Sequence, residues 1–227
     1  MNDQPISPEQ LWSIKKFDFF EVLTEEEIKA LAQRMHVKEY RKRETIYFDG
    51  DTSDMVYLIR QGKVRLSTLD EHGNRLSLHH LKKGDIFGVM ALAGQQKRNW
   101  TASAIQKTEL VMIHKDDLFK LQQTNPKLGL KITKLVGKHT LFIENKLQDL
   151  MFKNVKDRLI YTLSKLAKEH GESTASQITI KITQQELAQL VGATRESVSP
   201  ALGELEQSGV INREYGKIIV KGKLKLE

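Results

Sequence analysis

The sequence predicts an α+β chain in three parts: a small β-barrel, one long helix, and a C-terminal unit of short helices with a hairpin. Three observations carry this. Short, β-branched segments separated by turn signals fill residues 37–113. An apolar row at helical spacing then runs through residues 128–150. Last, ITQQELAQLVGATRESVSPALGELEQSGVI, residues 182–211, has the pattern of two short helices at a sharp angle.

Composition narrows the classes. A chain of 227 residues is long enough for two domains and more than one core. No apolar run approaches the roughly 20 residues of a membrane span. The start, MNDQPISPEQ, lacks the apolar centre of a signal peptide, so a cytoplasmic protein with no membrane partner is expected. Cysteine is absent, which excludes disulfides, thiol switches, Cys nucleophiles and Cys-ligated iron–sulfur clusters. The net charge of +7 is spread over the chain. It is compatible with a phosphate-rich partner but does not locate one.

Taken in order, residues 7–35 have helical character. Ser7-Pro8 opens a segment carrying Leu11, Trp12 and Ile14, and Thr24 caps TEEEIKALAQRM, acidic in its first turn. Strands are expected at 37–48, 56–60, 63–69, 75–81, 85–87 and 109–113. Turns fall at Asp49-Gly50-Asp51, Gln61-Gly62, His72-Gly73-Asn74 and Lys83-Gly84-Asp85. Val64, Leu66 and Leu76, Leu78 alternate on either side of a hairpin tip at Asp70–Asn74. From Asn125-Pro126 the period becomes helical. Ile132, Val136, His139, Ile143, Leu147 and Leu150 form one row and Leu128, Leu135 and Phe142 a second. One row can cover the barrel, which leaves the first for a second copy, so a parallel homodimer through this helix is expected. A further amphipathic helix spans 151–170, Glu172–Gln177 is a polar linker, and Ile178–Ile182 is a strand. Gly209–Ile211 and Lys217–Val220, joined through Tyr215-Gly216, form a wing-like hairpin, and the segment Arg213–Lys225 is basic.

The pair of helices carries the chemistry. Thr183 with Glu186 makes a capping box, Leu187, Leu190 and Val191 form the apolar face, and Gly192 ends the first helix. Thr194 caps the second, whose apolar face is Val198, Ala201, Leu202 and Leu205. A helix, a short Gly turn and a helix make a helix-turn-helix, whose second helix enters the DNA major groove. Arg195, Glu196, Ser197 and Ser199 lie at its N-terminal end. Arginine can give two hydrogen bonds to guanine, and glutamate can accept from cytosine.

With these motifs in order, the chain resembles the cAMP-receptor/fumarate-nitrate-reductase (CRP/FNR) family of bacterial transcription regulators. The resemblance rests on Gly50, Gly62, Gly84-Asp85-Ile86-Phe87-Gly88 and Ala91-Leu92, and on ELAQLVGATRESVSPALGELEQSGVI. It implies a cyclic-nucleotide-binding-like β-barrel (a double-stranded β-helix) at 1–124, a dimerisation helix at 125–152 and a winged helix-turn-helix at 153–227. It also implies a homodimer on a two-fold symmetric double-stranded site, in contact with RNA polymerase. On this resemblance Arg195 and Glu196 read bases. Thr194 and Ser197 contact phosphates, and Thr183 and Gln185 add contacts from the preceding helix. Pro200 departs from the family, standing where many members carry a second base-reading arginine. Proline in a helix interior costs about 3 kcal/mol unless the helix is distorted, so a late helix start is expected, with Pro200 in its first turn.

The effector pocket matches less well. Cyclic-nucleotide binders share a Gly-Glu pair for the ribose hydroxyl and an Arg-Ser pair for the cyclic phosphate. Here Gly88 is followed by Val89, and Arg98 by Asn99. On the long helix, Ile143 and Glu144 stand where the cAMP receptor presents hydroxyls to adenine. These residues, with Ala91 and Leu92, form the candidate pocket. They predict control by something other than cAMP, namely a small anionic effector at Arg98, or no effector, with Trp100 and Met90 closing the barrel. Haem is a remote alternative through His79, His80, His114 or Met90, although adjacent His79 and His80 point to opposite faces of a strand. The seven histidines show no zinc spacing, so no metal or resident cofactor is expected. A cupin-like metal enzyme would need a His/Glu set that is not seen. A scaffold that has lost DNA binding is the reading Pro200 alone would motivate.

Overall fold

The computed structural model describes residues 4–5, 15, 17–69, 75–173 and 177–221. The expected helix over Leu11, Trp12 and Ile14, and the hairpin tip at Asp70–Asn74, lie outside them. The chain divides into two compact units, 1–69 with 78–141 and 70–77 with 142–227.

In the first unit a 3₁₀ turn at Asp18–Phe20 precedes α1 (Glu25–Ala32). The Thr24 hydroxyl accepts from the Glu27 amide at 3.2 Å and the Glu27 carboxylate accepts from the Thr24 amide at 2.8 Å, the full capping box. Among the described residues, nine strands follow the barrel plan. They are β1 (Gln4–Pro5), β2 (His36–Tyr40), β3 (Thr45–Tyr47), β4 (Met55–Gln61), β5 (Lys63–Leu69), β6 (Arg75–Lys82), β7 (Ile86–Phe87), β8 (Thr101–Ala104) and β9 (Thr108–His114). One sheet runs β1-β2-β9-β4-β7 and the other β3-β8-β5-β6. β9 pairs antiparallel with both neighbours, Val111 lying opposite Val37 on one side and Leu58 on the other.

Alternation sorts the side chains of β4. Val56 and Leu58 join Val37, Val111 and Ile113 in a core shared with Phe19, Phe20, Ile28 and Leu31. Tyr57 faces the other sheet, where its ring lies 5.6 Å from that of Tyr47. Both faces of this sheet are therefore covered, and β4 is nearly continuous in apolar residues.

Several expectations need correction. The expected strand 37–48 is broken into β2 and β3, with Arg43 in the left-handed region at φ 71°. No sequence signal marks strand β8, because TASA is short and its side chains are small. Residues 115–124, assigned no element, form α2 (Lys115–Thr124). Leu76 is half-buried while Ser77 and Leu78 are both buried, so the strict alternation expected in β6 fails.

The long helix α3 (Pro126–Phe152) runs from the first unit into the second. Ile132 is 5% exposed within the core of the first unit, where Leu128 is fully buried and Leu135 and Val136 pack. At the N-terminal end of the expected dimer row, Ile132 lies in the core of its own chain and Val136, half-buried, packs against that core. His139, Ile143 and Leu150 are half-buried and Leu147 is exposed. Burial lowers the His139 pKa below its ordinary value. The large apolar side chains that α3 leaves exposed are Leu130, Leu141, Leu147, Met151 and Phe152.

The second unit contains α4 (Val155–His170), α5 (Gln184–Val191), α6 (Arg195–Gln207) and a sheet in the order β10-β11-β13-β12. The strands are β10 (Glu172–Ser173), β11 (Ile178–Ile180), β12 (Ile211–Glu214) and β13 (Lys217–Val220). β10 corrects the expected plain linker: Glu172 and Ser173 pair antiparallel with β11. The core joins Leu159 and Leu163 of α4 to Leu187 and Val191 of α5, Val198, Leu202 and Leu205 of α6, and Ile180, Ile211 and Ile218 of the sheet.

Candidate DNA-reading surface and sensor pocket

The reading surface is built from two caps and a turn. The Thr183 hydroxyl caps α5 by accepting from the Glu186 amide at 3.2 Å, and Glu186 accepts from both the amide and the hydroxyl of Thr183, each at 2.9 Å. Gly192 ends α5 at φ 71°, a conformation that favours glycine. Two residues on, the Thr194 hydroxyl accepts from the Ser197 amide at 3.2 Å and lies 3.0 Å from the Ser197 hydroxyl. These caps hold Thr183 at the start of α5 and the expected phosphate-contacting hydroxyls of Thr194 and Ser197 at the start of α6.

α6 buries Val198, Ala201, Leu202 and Leu205 and turns Arg195, Glu196 and Ser197 to solvent. Ser199 is half-buried, one turn beyond Arg195, and Gln185 is exposed in the first turn of α5. The expected late start of the second helix is corrected. α6 begins at Arg195, and Pro200 sits inside it. Proline lacks the amide that would donate to the Glu196 carbonyl. Both residues are exposed, which leaves that carbonyl at the surface and the helix unbroken to Gln207.

The wing is tied to this helix. Glu206 of α6 accepts from the Arg213 amide at 2.9 Å and from its guanidinium Nε at 2.7 Å. These bonds hold the Glu206 carboxyl below its ordinary pKa. Tyr215 stands fully exposed at the tip of the β12–β13 turn, before Gly216 at φ 70°. No local pattern marks Glu206, because its partner lies on another element.

In the barrel, Arg98 is 4% exposed. Its guanidinium donates to the Met55 carbonyl at 2.5 Å and the Gly88 carbonyl at 3.3 Å. It lies 4.5 Å from the centre of the Tyr47 ring and 5.6 Å from that of Tyr57. Phe87 stacks on Tyr57 at 4.9 Å. Among the described residues Arg98 has no carboxylate partner, and its Nε has no acceptor. Burial raises the pKa values of Tyr47 and Tyr57, with Arg98 opposing in part. Gly88 has φ 76°, and a Cβ there would meet Arg98 Nη1 and the Met55 carbonyl, each at 2.8 Å. Only glycine lets Arg98 seat this way.

The other candidate pocket residues are arranged differently from expectation. Val89 belongs to the core beneath α1, and Leu92 packs against that core. Ala91 is buried, and Asn99 is exposed. Half-buried Ile143 and exposed Glu144 lie on the part of α3 assigned to the second unit. Trp100 and Met90, expected to fill the barrel, are only half-buried. The aromatic residues around Arg98 are instead Tyr47 and Tyr57, with Phe87 behind. They come from three separate strands, so no local motif marked them. His114 caps α2, its Nδ1 accepting from the Asp116 amide at 3.3 Å. Among the described residues no group of three or more His, Asp or Glu side chains could hold a metal ion, and no helix is long and apolar enough to cross a membrane.

A barrel with a buried arginine, joined by a long helix to a winged helix-turn-helix, defines a DNA-binding transcription regulator with an N-terminal sensor-like domain. Comparison agrees over both parts. The cyclic nucleotide-binding domain family matches residues 37–125, and the Crp-like helix-turn-helix domain family matches 157–227. The cAMP-activated global transcriptional regulator CRP of Salmonella typhimurium is 30% identical over 190 residues, 82% of this chain and 90% of that protein. The anaerobic regulatory protein of Bacillus subtilis is 32% identical over 195 residues, 84% of this chain and 82% of that one. Among solved structures, the c-di-GMP responsive regulator CLP of Xanthomonas campestris superposes with a TM-score of 0.78 at 25% identity, covering 88% of this chain and all of that chain. The chain belongs to the CRP/FNR family of transcription regulators. Its relatives are regulators rather than enzymes.

Proposed function

We propose that this chain acts as a cytoplasmic homodimer that binds a two-fold symmetric DNA site, contacts RNA polymerase, and is not switched by cAMP. The parts are a sensor at 1–124, a dimerisation helix at 125–152 and a DNA-binding domain at 153–227. The observation that carries the last point is the seating of Arg98. The Met55 and Gly88 carbonyls hold one N–H of each terminal nitrogen, and a cyclic phosphate that drew the guanidinium away from them would leave two backbone acceptors without a donor. Each buried acceptor so orphaned costs about 1–3 kcal/mol. Val89 offers nothing to a ribose hydroxyl. Family membership does not fix the ligand, since one relative is named for cAMP and another for c-di-GMP.

The unpartnered Nε of Arg98 favours a second reading, in which a small anion enters and completes the guanidinium. Calorimetry with cAMP and with inorganic phosphate, each followed by DNA titration, separates the two. The expected result is no heat from cAMP and unchanged DNA affinity in its presence. A ligand shifts a two-state equilibrium only by its differential affinity for the states. Micromolar cAMP binding with tightened DNA affinity overturns the proposal.

For the reading helix, Arg195→Ala is expected to weaken specific binding by about 1–3 kcal/mol and to relax preference at one symmetric base pair. Binding to a selected site and its single-base variants checks this. An equal loss on every sequence would make Arg195 a phosphate contact.

A further inference from the structure

The end of α5 is the turn of the helix-turn-helix, and it is held from outside the motif. The last carbonyls of a helix lack intrahelical donors and carry the negative end of its dipole. Here the Ala188 carbonyl accepts from the amides of Gly192 and Ala193. The next carbonyls go to two cations. Lys146 Nζ, from the C-terminal half of α3, donates to the Leu190 carbonyl at 2.6 Å. Arg158, from α4, donates through Nε to the Val191 carbonyl at 3.0 Å and through Nη2 to the Gly192 carbonyl at 3.4 Å. Its Nη1 also donates to the Lys153 carbonyl at 2.8 Å, at the junction between α3 and α4.

We propose that Lys146 is a positioning residue for DNA reading: by bonding the Leu190 carbonyl it fixes the helix-turn-helix turn, and hence the reading helix, against the long helix. The proposal rests on the DNA-binding reading above. Three features support a role beyond a surface contact. Lys146 is half-buried, and burial lowers its pKa, so the charge is held where it is partly desolvated. Leu150, one turn on, packs close to Gly192: a Cβ there would lie 2.9 Å from its side chain. The turn that Lys146 and Arg158 grip also sets where Thr194 begins α6, and so where Arg195 and Glu196 stand. A small rotation at Leu190–Gly192 would displace both base-reading side chains. Lys146 is turned onto a carbonyl of its own chain.

The test uses the full chain and a selected duplex site. Lys146→Met keeps the length of the side chain and removes its donor and charge. Its specific affinity is expected to fall about tenfold, in the range of ordinary coupling between sites. The slope of affinity against salt is expected to stay unchanged, because no phosphate contact is lost. Lys146→Arg, which still reaches the carbonyl, is expected to restore most of the affinity. Hydrogen exchange at the Ala193 amide should quicken in the Met variant alone. Should that variant fail to fold, Lys146→Gln, too short to keep the bond, carries the same expectation. Wild-type affinity in the folded Met or Gln variant overturns the proposal. So does a loss accompanied by a slope shallower by about one unit, which would make Lys146 a phosphate contact. Wild-type protein that binds no duplex site would fail the DNA-binding reading itself, and the positioning role with it.

Discussion

Leu141→Glu with Leu147→Glu is expected to give monomers and to weaken binding to a two-fold DNA site by about 10²–10⁴-fold. In the single chain these side chains are 58% and 56% exposed, and Leu130 and Met151 are 58% and 67% exposed on the same helix. Gly137 has open space where a Cβ would stand, so a second backbone can come close there. Large apolar side chains left exposed along a helix fit a surface that a partner covers, and charges placed in such a seam would be buried unpaired. Each monomer would keep one reading helix, and the loss would be that of joint engagement of two half-sites. Sedimentation gives the assembly state, and titration of whole and half sites gives the affinity ratio. A double variant that still sediments as a dimer places the seam elsewhere.

Leu163→Ala is expected to destabilise the DNA-binding unit by about 2–5 kcal/mol, the range for a buried leucine cut to alanine. Leu163 is fully buried where α4 meets the core of α5, α6 and the wing sheet. That core shares no residue with the one beneath the five-stranded sheet. The cost should therefore fall on one transition in a calorimetric scan. For a unit of this size about 1 kcal/mol moves the midpoint by roughly 4–8 °C, so a drop of at least about 8 °C is expected. The barrel transition should stay in place. A single transition that shifts as a whole would show that the two cores unfold together.

Much of this protein is legible in its sequence where the signal is local. The caps at Thr24, Thr183 and Thr194, the glycine at 192 and the apolar face of α6 each depend on residues three or four apart, and each stands as expected. Pro200 was legible as a departure, but its consequence was not. Proline forbids one hydrogen bond, and whether a helix tolerates that depends on whether the orphaned carbonyl is at the surface.

Local patterns carry the family, the order of parts and the helix-turn-helix, because capping residues, apolar faces and turn glycines are near neighbours in the chain. The sequence does not determine which apolar side chains of α3 stay exposed. Periodicity shows the row from Ile132 to Leu150, but only packing shows that Ile132 joins the core of its own chain, with half-buried Val136 against it, while Leu147 of the same row stays exposed. The same holds for Arg98. Its place in the chain matched a phosphate ligand. Its seating against the Met55 and Gly88 carbonyls, over Tyr47 and Tyr57, joins residues up to 51 positions apart in sequence. Such contacts follow from strand register and the closure of one sheet on another, which no local pattern of residue types specifies.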